Sequence, residues 1–192
     1  AGIKLTAEEV VTYIKTRTDN ENKERRMYWD RIPGEEIGRL LKMAAEELGL
    51  PASMLKTEHL TRPLELLGGK TLGGLFEHHY LYRDRQEQDT ITSVLERAGI
   101  QITSNDVIEC IKSGHQVYWR RVPWEIIGEV LQKVADEVGV PLPFMDERYL
   151  THPLALLKGH TLGGIRHLMT REGAGGMSSL TEKVGRSITA ED

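Results

Sequence analysis

A chain of 192 residues is long enough for one large domain or two small ones. With 39% hydrophobic and 28% charged residues it can bury a core, which excludes a disordered tail, and no apolar run reaches membrane-spanning length. The net charge of −4 excludes a protein whose whole surface attracts nucleic acid, but it leaves room for a local basic face.

Thr6 followed by Glu9 is a capping box, and it predicts a first helix running to about Lys15 with Val10, Val11 and Ile14 inward. A polar stretch follows, Thr18 to Arg26, and reads as a surface loop or an extended helix end. Pro33 suits the first turn of the next and strongest helix. Ile37, Leu40, Leu41, Ala44, Ala45 and Leu48 give it an apolar stripe; Gly49 stops it and Pro51 prevents its resumption. A short helix is expected around Ser53–Leu60. Thr61 then reads as an N-cap with Pro63 in the first turn of another short helix. Gly69 makes a turn, Thr71 caps a helix carrying Leu75 and Phe76, and a last helix covers Thr90–Arg97.

The chain then repeats itself. Tyr28-Trp29-Asp30-Arg31-Ile32-Pro33 returns as Tyr118-Trp119-Arg120-Arg121-Val122-Pro123. Thr61-Arg62-Pro63-Leu64 returns as Thr151-His152-Pro153-Leu154, and Thr71-Leu72-Gly73-Gly74 as Thr161-Leu162-Gly163-Gly164. Thr103 with Asp106 repeats the capping box. Phe144–Leu150 matches the short helix of the first unit, and Ser179–Val184 is expected as a shorter last helix. The expected architecture is therefore all-α, a tandem duplication of a multi-helix unit of about 90 residues. Its units are residues 1–97 and 98–184. Residues 185–192 open like a third unit, so the chain reads as an excerpt from a longer protein.

The recurring residues read mainly as structure. Gly73-Gly74 and Gly163-Gly164 lack the spacing of a phosphate-binding loop, so close helix packing is the favoured account. The aromatic pairs Tyr28-Trp29 and Tyr118-Trp119 read as core plugs, with base stacking as the functional alternative. Arg31 with Glu35 and Arg121 with Glu125 have the spacing of helix-start ion pairs. The single Cys110 has apolar neighbours and reads as a small core residue. One cysteine excludes an internal disulfide and, without a visible secretory signal, points to an intracellular, cytoplasmic setting. The seven histidines show no metal-ligand spacing, and no nucleophile arrangement or carboxylate pair is recognisable. Neither a catalytic residue nor a metal or other cofactor is expected.

Two features point toward nucleic acid. Leu60 to His79 and Leu150 to Thr170 have a short helix, a Gly-containing turn and a second helix, the plan of a helix-turn-helix. The run Leu95-Glu96-Arg97-Ala98-Gly99-Ile100 leading into Thr103–Ile108, with the phrase Ala45–Pro51, resembles the junctions of small helical repeats found beside homing-endonuclease nucleases. The resemblance covers only those stretches. The units here are longer than those repeats and lack their aromatic-plus-glycine phrase. It implies a DNA-binding role. On this basis the chain is expected to be a non-catalytic module for nucleic acid, chiefly double-stranded DNA. The helices from Thr71 and Thr161 would face a groove. Lys70, His160, Arg166 and His167 would be contacts, with Arg25, Arg26, Arg31, Arg120 and Arg121 on phosphates. The alternative is a protein-interaction or oligomerisation scaffold built from helical repeats.

Overall fold

The computed structural model describes residues 5–17, 27–75, 90–166, 168 and 176–188. The chain is mostly helical, and among the described residues the sole β-type pairing is an isolated bridge between Leu64 and Lys70. No described helix is long and apolar enough to cross a membrane. The chain divides into two compact units, Ala1–Gln101 and Ile102–Asp192.

Unit one opens with α1 (Ala7–Thr16). Its N-terminus is closed by the capping box: Thr6 Oγ1 accepts the Glu9 N–H, and Glu9 returns a carboxylate to the Thr6 N–H. A 3-10 turn at Trp29–Arg31 leads into α2 (Gly34–Leu48), with Pro33 at the N-cap. Five members of the predicted stripe, Ile37, Leu40, Leu41, Ala44 and Ala45, pack inside, and the sixth, Leu48, is half-buried. Gly49 ends α2 at φ 69, a left-handed conformation that costs glycine nothing. Burying one such leucine contributes about 1.5–3 kcal/mol, and the segment's Ala, Leu, Glu, Lys, Arg and Met are strong helix formers, so burial and propensity act together. Two short pieces follow, a 3-10 turn at Ala52–Met54 and α3 (Thr57–Leu60). The expected continuous helix across Ser53–Leu60 is interrupted because Leu55 is extended, at φ −57 and ψ 143.

Two further expectations need correction. Thr61 is not an N-cap; it stands at the C-terminal end of α3, and its Oγ1 donates to the Glu58 carbonyl. Its counterpart Thr151 ends a helix in the same way and donates to Arg148 O. Nor do Pro63–Gly68 form the first helix of a helix-turn-helix. Proline disfavours helix in the residue before it, Leu64 is extended, and only a single 3-10 turn forms at Glu65–Leu67. Gly68 and Gly69, both at positive φ, fold that turn back so that the Leu64 N–H reaches the Lys70 carbonyl at 2.9 Å. Most of the helix expected after Thr71 lies outside the described residues. α4 (Thr90–Arg97) completes the unit, with Ile91, Val94 and Leu95 buried.

Unit two runs in the same order: α5 (Ser104–Lys112), a 3-10 turn at Trp119–Arg121, α6 (Trp124–Val138), a 3-10 turn at Leu142–Phe144, and α7 (Glu147–Thr151). Single 3-10 turns at Ala155–Leu157 and Gly163–Ile165 come next. The helix expected from Thr161 begins as a 3-10 turn, with Thr161 Oγ1 accepting the Gly163 N–H at 3.3 Å, and Arg166 and Leu168 beyond it are helical. The last helix, α8 (Gly176–Ile188), has 13 residues and is longer than the expected Ser179–Val184. It packs along α6, which also packs on α5. Cys110 is buried among the apolar residues of α5, as its neighbours predicted.

The same tie joins the middle helix to the following turn in both units. In unit one, Glu47 of α2 accepts the N–H groups of Glu65 and Leu66 at 2.7 and 2.8 Å. In unit two, Glu137 of α6 accepts those of Ala155 and Leu156, both at 2.7 Å. A 3-10 turn leaves its first N–H groups without internal acceptors, and a carboxylate satisfies two of them at once. The link between the first and second helices uses different chemistry. Glu36 accepts the Ala7 N–H in unit one, whereas Lys133 reaches Ser104 and Asn105 in unit two.

Candidate nucleic-acid interface

The most regular surface feature is a tyrosine held out beside a buried tryptophan. Trp29 is 5% exposed and Trp119 7%, whereas their neighbours Tyr28 and Tyr118 are 49% and 47% exposed. The core reading of the two pairs holds for the tryptophans, which are buried and so no stacking platforms, and is corrected for the tyrosines, which stand outside. Each is seated against a glycine. A Cβ on Gly74 would lie 3.1 Å from Trp29 Nε1, and a Cβ on Gly164 would lie 3.1 Å from Trp119 Nε1. The second glycine of each pair therefore serves packing, and the residue type is required there because the indole occupies the space a side chain would take. Each 3-10 turn is closed by the tyrosine's own carbonyl, which accepts the N–H of Arg31 or Arg121 at 3.0 Å. Burial of the indole at one residue thus fixes the adjacent tyrosine on the outside.

Basic residues adjoin both tyrosines. The exposed Arg31 lies over the Tyr28 ring, 4.5 Å from its centroid, a cation–π arrangement, where the sequence led us to expect an ion pair with Glu35. In unit two Arg120 is exposed on the turn that follows Tyr118, and Arg121 is half-buried beside it. In unit one Arg97 of α4 braces the turn from behind. Its Nη2 donates to the carbonyls of Trp29, Asp30 and Ile32 at 3.0, 3.1 and 2.8 Å.

The remaining candidate contacts are dispersed. Lys70 is half-buried, and its Nζ donates to the Lys15 carbonyl at 3.3 Å, where a cation complements the C-terminal end of α1. Arg166 is ion-paired with Glu147. His160 is exposed, and its backbone closes the turn after Leu157. Arg25, Arg26 and His167 lie outside the described residues. Arg148 is chelated by Asp146; that contact and a backbone hydrogen bond hold the Asp146 carboxyl below its ordinary range.

Sequence reasoning missed Glu47, Glu137 and Arg97 as organising residues. The two glutamates carried a usable signal, since they stand at equivalent places before Gly49 and Gly139. Arg97 carried none, because its partners are backbone carbonyls far away in sequence. Among the described residues no three His, Cys, Asp or Glu side chains converge in a way that could hold a metal ion. No protein-family model, no curated protein and no solved structure matches the chain.

Proposed function

We propose that this chain is a non-catalytic nucleic-acid-binding module, acting inside the cell and built by duplication of one helical unit. The observation that carries the reading is the exposed tyrosine with adjoining arginine in each unit, Tyr28 with Arg31 and Tyr118 with Arg120. Aromatic faces and guanidinium groups are the side chains that stack on bases and pair with phosphates. Arg31, Arg120, Arg121 and His160 are the contacts this reading retains from the described residues, with Arg25, Arg26 and His167 as further candidates. Lys70 donates to the Lys15 carbonyl and Arg166 pairs with Glu147, so neither is counted among the leading contacts. The test is binding of mixed DNA and RNA pools at rising salt. A steep loss of affinity supports the reading, because released counterions set the slope; absence of binding at low salt refutes it.

A second reading, a protein-interaction scaffold, rests on Phe144, which is 76% exposed on the turn Leu142–Phe144. Capture of a protein partner that depends on Phe144, with no nucleic-acid binding, would favour it.

A further inference from the structure

The form of the nucleic acid follows from which groups the fold leaves outside; this step rests on the reading just given. A helix that reads duplex DNA enters a major groove about 12 Å wide, supported by a preceding helix that crosses the backbone. The preceding helix is absent here. Its place is taken by the single turns Glu65–Leu67 and Ala155–Leu157, each folded back on itself and tied to the middle helix by Glu47 or Glu137. Two of the basic side chains expected at the groove, Lys70 and Arg166, are bound to Lys15 and Glu147.

What each unit does present is an aromatic ring on a rigid turn. Tyr28 and Tyr118 are two of the four large hydrophobic side chains exposed among the described residues, and they occupy matching places. The buried Trp29 and Trp119 hold them there. In a duplex the base faces are covered by neighbouring pairs, so a tyrosine ring finds a partner face only on an unpaired base. We propose that each unit binds a single-stranded segment, with a base stacked on Tyr28 in unit one and on Tyr118 in unit two. Arg31 covers one face of the Tyr28 ring, so the base takes the opposite face there, and Arg31 and Arg120 meet the flanking phosphates. Unit two is the stronger platform, because Arg120 stands where unit one has Asp30. The chemistry required, an unpaired base beside a phosphate, is common to single-stranded DNA and RNA.

The experiment is fluorescence anisotropy on the whole chain with a labelled mixed-sequence 20-mer as single-stranded DNA, as single-stranded RNA, and annealed as a duplex. We expect at least one single-stranded probe to bind about tenfold or more tightly than the duplex. Tyr118→Ala should weaken single-strand binding by about tenfold, Tyr28→Ala by less, and Tyr118→Phe should leave it within about threefold, since the ring face is kept. Unchanged circular dichroism and melting of these surface variants establish that folding is intact. Duplex binding equal to or tighter than both single strands overturns the inference but leaves a nucleic-acid module standing. So does single-strand binding that is indifferent to both alanine variants. No binding of any probe at low salt overturns both this inference and the function it rests on.

Discussion

The carboxylate of Glu47 holds the backbone of Leu66, 19 residues further along, at 2.8 Å, and takes the Glu65 N–H with its other oxygen at 2.7 Å. A side chain on the longest described helix of the unit thereby fixes a turn that has too few residues to hold itself. Nucleating helical structure is unfavourable, so a three-residue turn depends on such outside support.

Removing that support should therefore unfold more than a turn. Glu47→Ala is expected to lower the stability of the chain by about 1–2 kcal/mol, the scale of a lost cap with two unsatisfied N–H groups. Glu47→Gln should recover at most part of the loss, since an amide offers a single acceptor oxygen. Glu137→Ala should behave alike in unit two. Urea denaturation followed by circular dichroism measures each change. Midpoints unaltered by both alanine variants would show that the ties contribute nothing.

The contact between Trp29 and Gly74 makes a different prediction. Alanine has the higher helix propensity, so Gly74→Ala would stabilise an open site. Here the new methyl meets a buried indole nitrogen at 3.1 Å and must displace it. We expect a loss of about 1–3 kcal/mol, with a red-shifted tryptophan emission as the ring moves toward water. Gly164→Ala should act on Trp119 in the same direction. Gly73→Ala is the control, since its nearest neighbour is the Thr71 hydroxyl at 3.4 Å. A stabilised Gly74→Ala variant with unshifted emission contradicts the account.

Acid should loosen the start of α7. The Asp146 side chain accepts the Arg148 N–H and pairs with the Arg148 guanidinium, so its pKa in the folded chain lies below that of the free side chain. A depressed carboxyl pKa means that the stabilisation is fully present above the unfolded value, near 3.9, and is lost as pH falls through the lower folded value. The contact is exposed, so salt should weaken it. A carbon-detected NMR titration of Asp146, repeated in Arg148→Ala, measures the effect. The two titration midpoints should separate, with the parent chain lower; coincident midpoints would remove Arg148 as the cause.

The helices that bury a wide stripe were legible in the sequence because their spacing is periodic. The predicted stripe of α2 is buried from Ile37 to Ala45, with its last member Leu48 half-buried, and Thr6 with Glu9 closes α1 as a capping box. The short elements were not legible. Thr61 followed by Pro63 has the composition of a helix start, yet Thr61 ends α3, Leu64 is extended, and the turn that follows is capped by Glu47, a residue that local sequence does not reveal. The candidate site was legible in half. The Tyr-Trp pairs stood out by their recurrence, but their division into an outer tyrosine and an inner tryptophan depends on Gly74 and Gly164, more than forty residues away. Lys70 and Arg166 looked free for a ligand because their partners, a helix-end carbonyl and Glu147, are not sequence neighbours.

Gly34 illustrates a rule for exchanging parts between the units. A Cβ on Gly34 would stand 2.3 Å from the Arg97 carbonyl oxygen, so the close approach of α4 to α2 admits no side chain there. At the matching place unit two has Trp124, and Lys183 of α8 sits over its ring, 5.2 Å from the centroid. The glycine–arginine and tryptophan–lysine pairs are each self-consistent, and neither residue of one suits the other. A chimaera that takes its first part from unit two and its last from unit one, spliced between the places of 34 and 97, would bring an indole against a backbone carbonyl, whereas one spliced outside that interval inherits a matched pair. One carbonyl oxygen thus limits where a hybrid of the two halves can be joined.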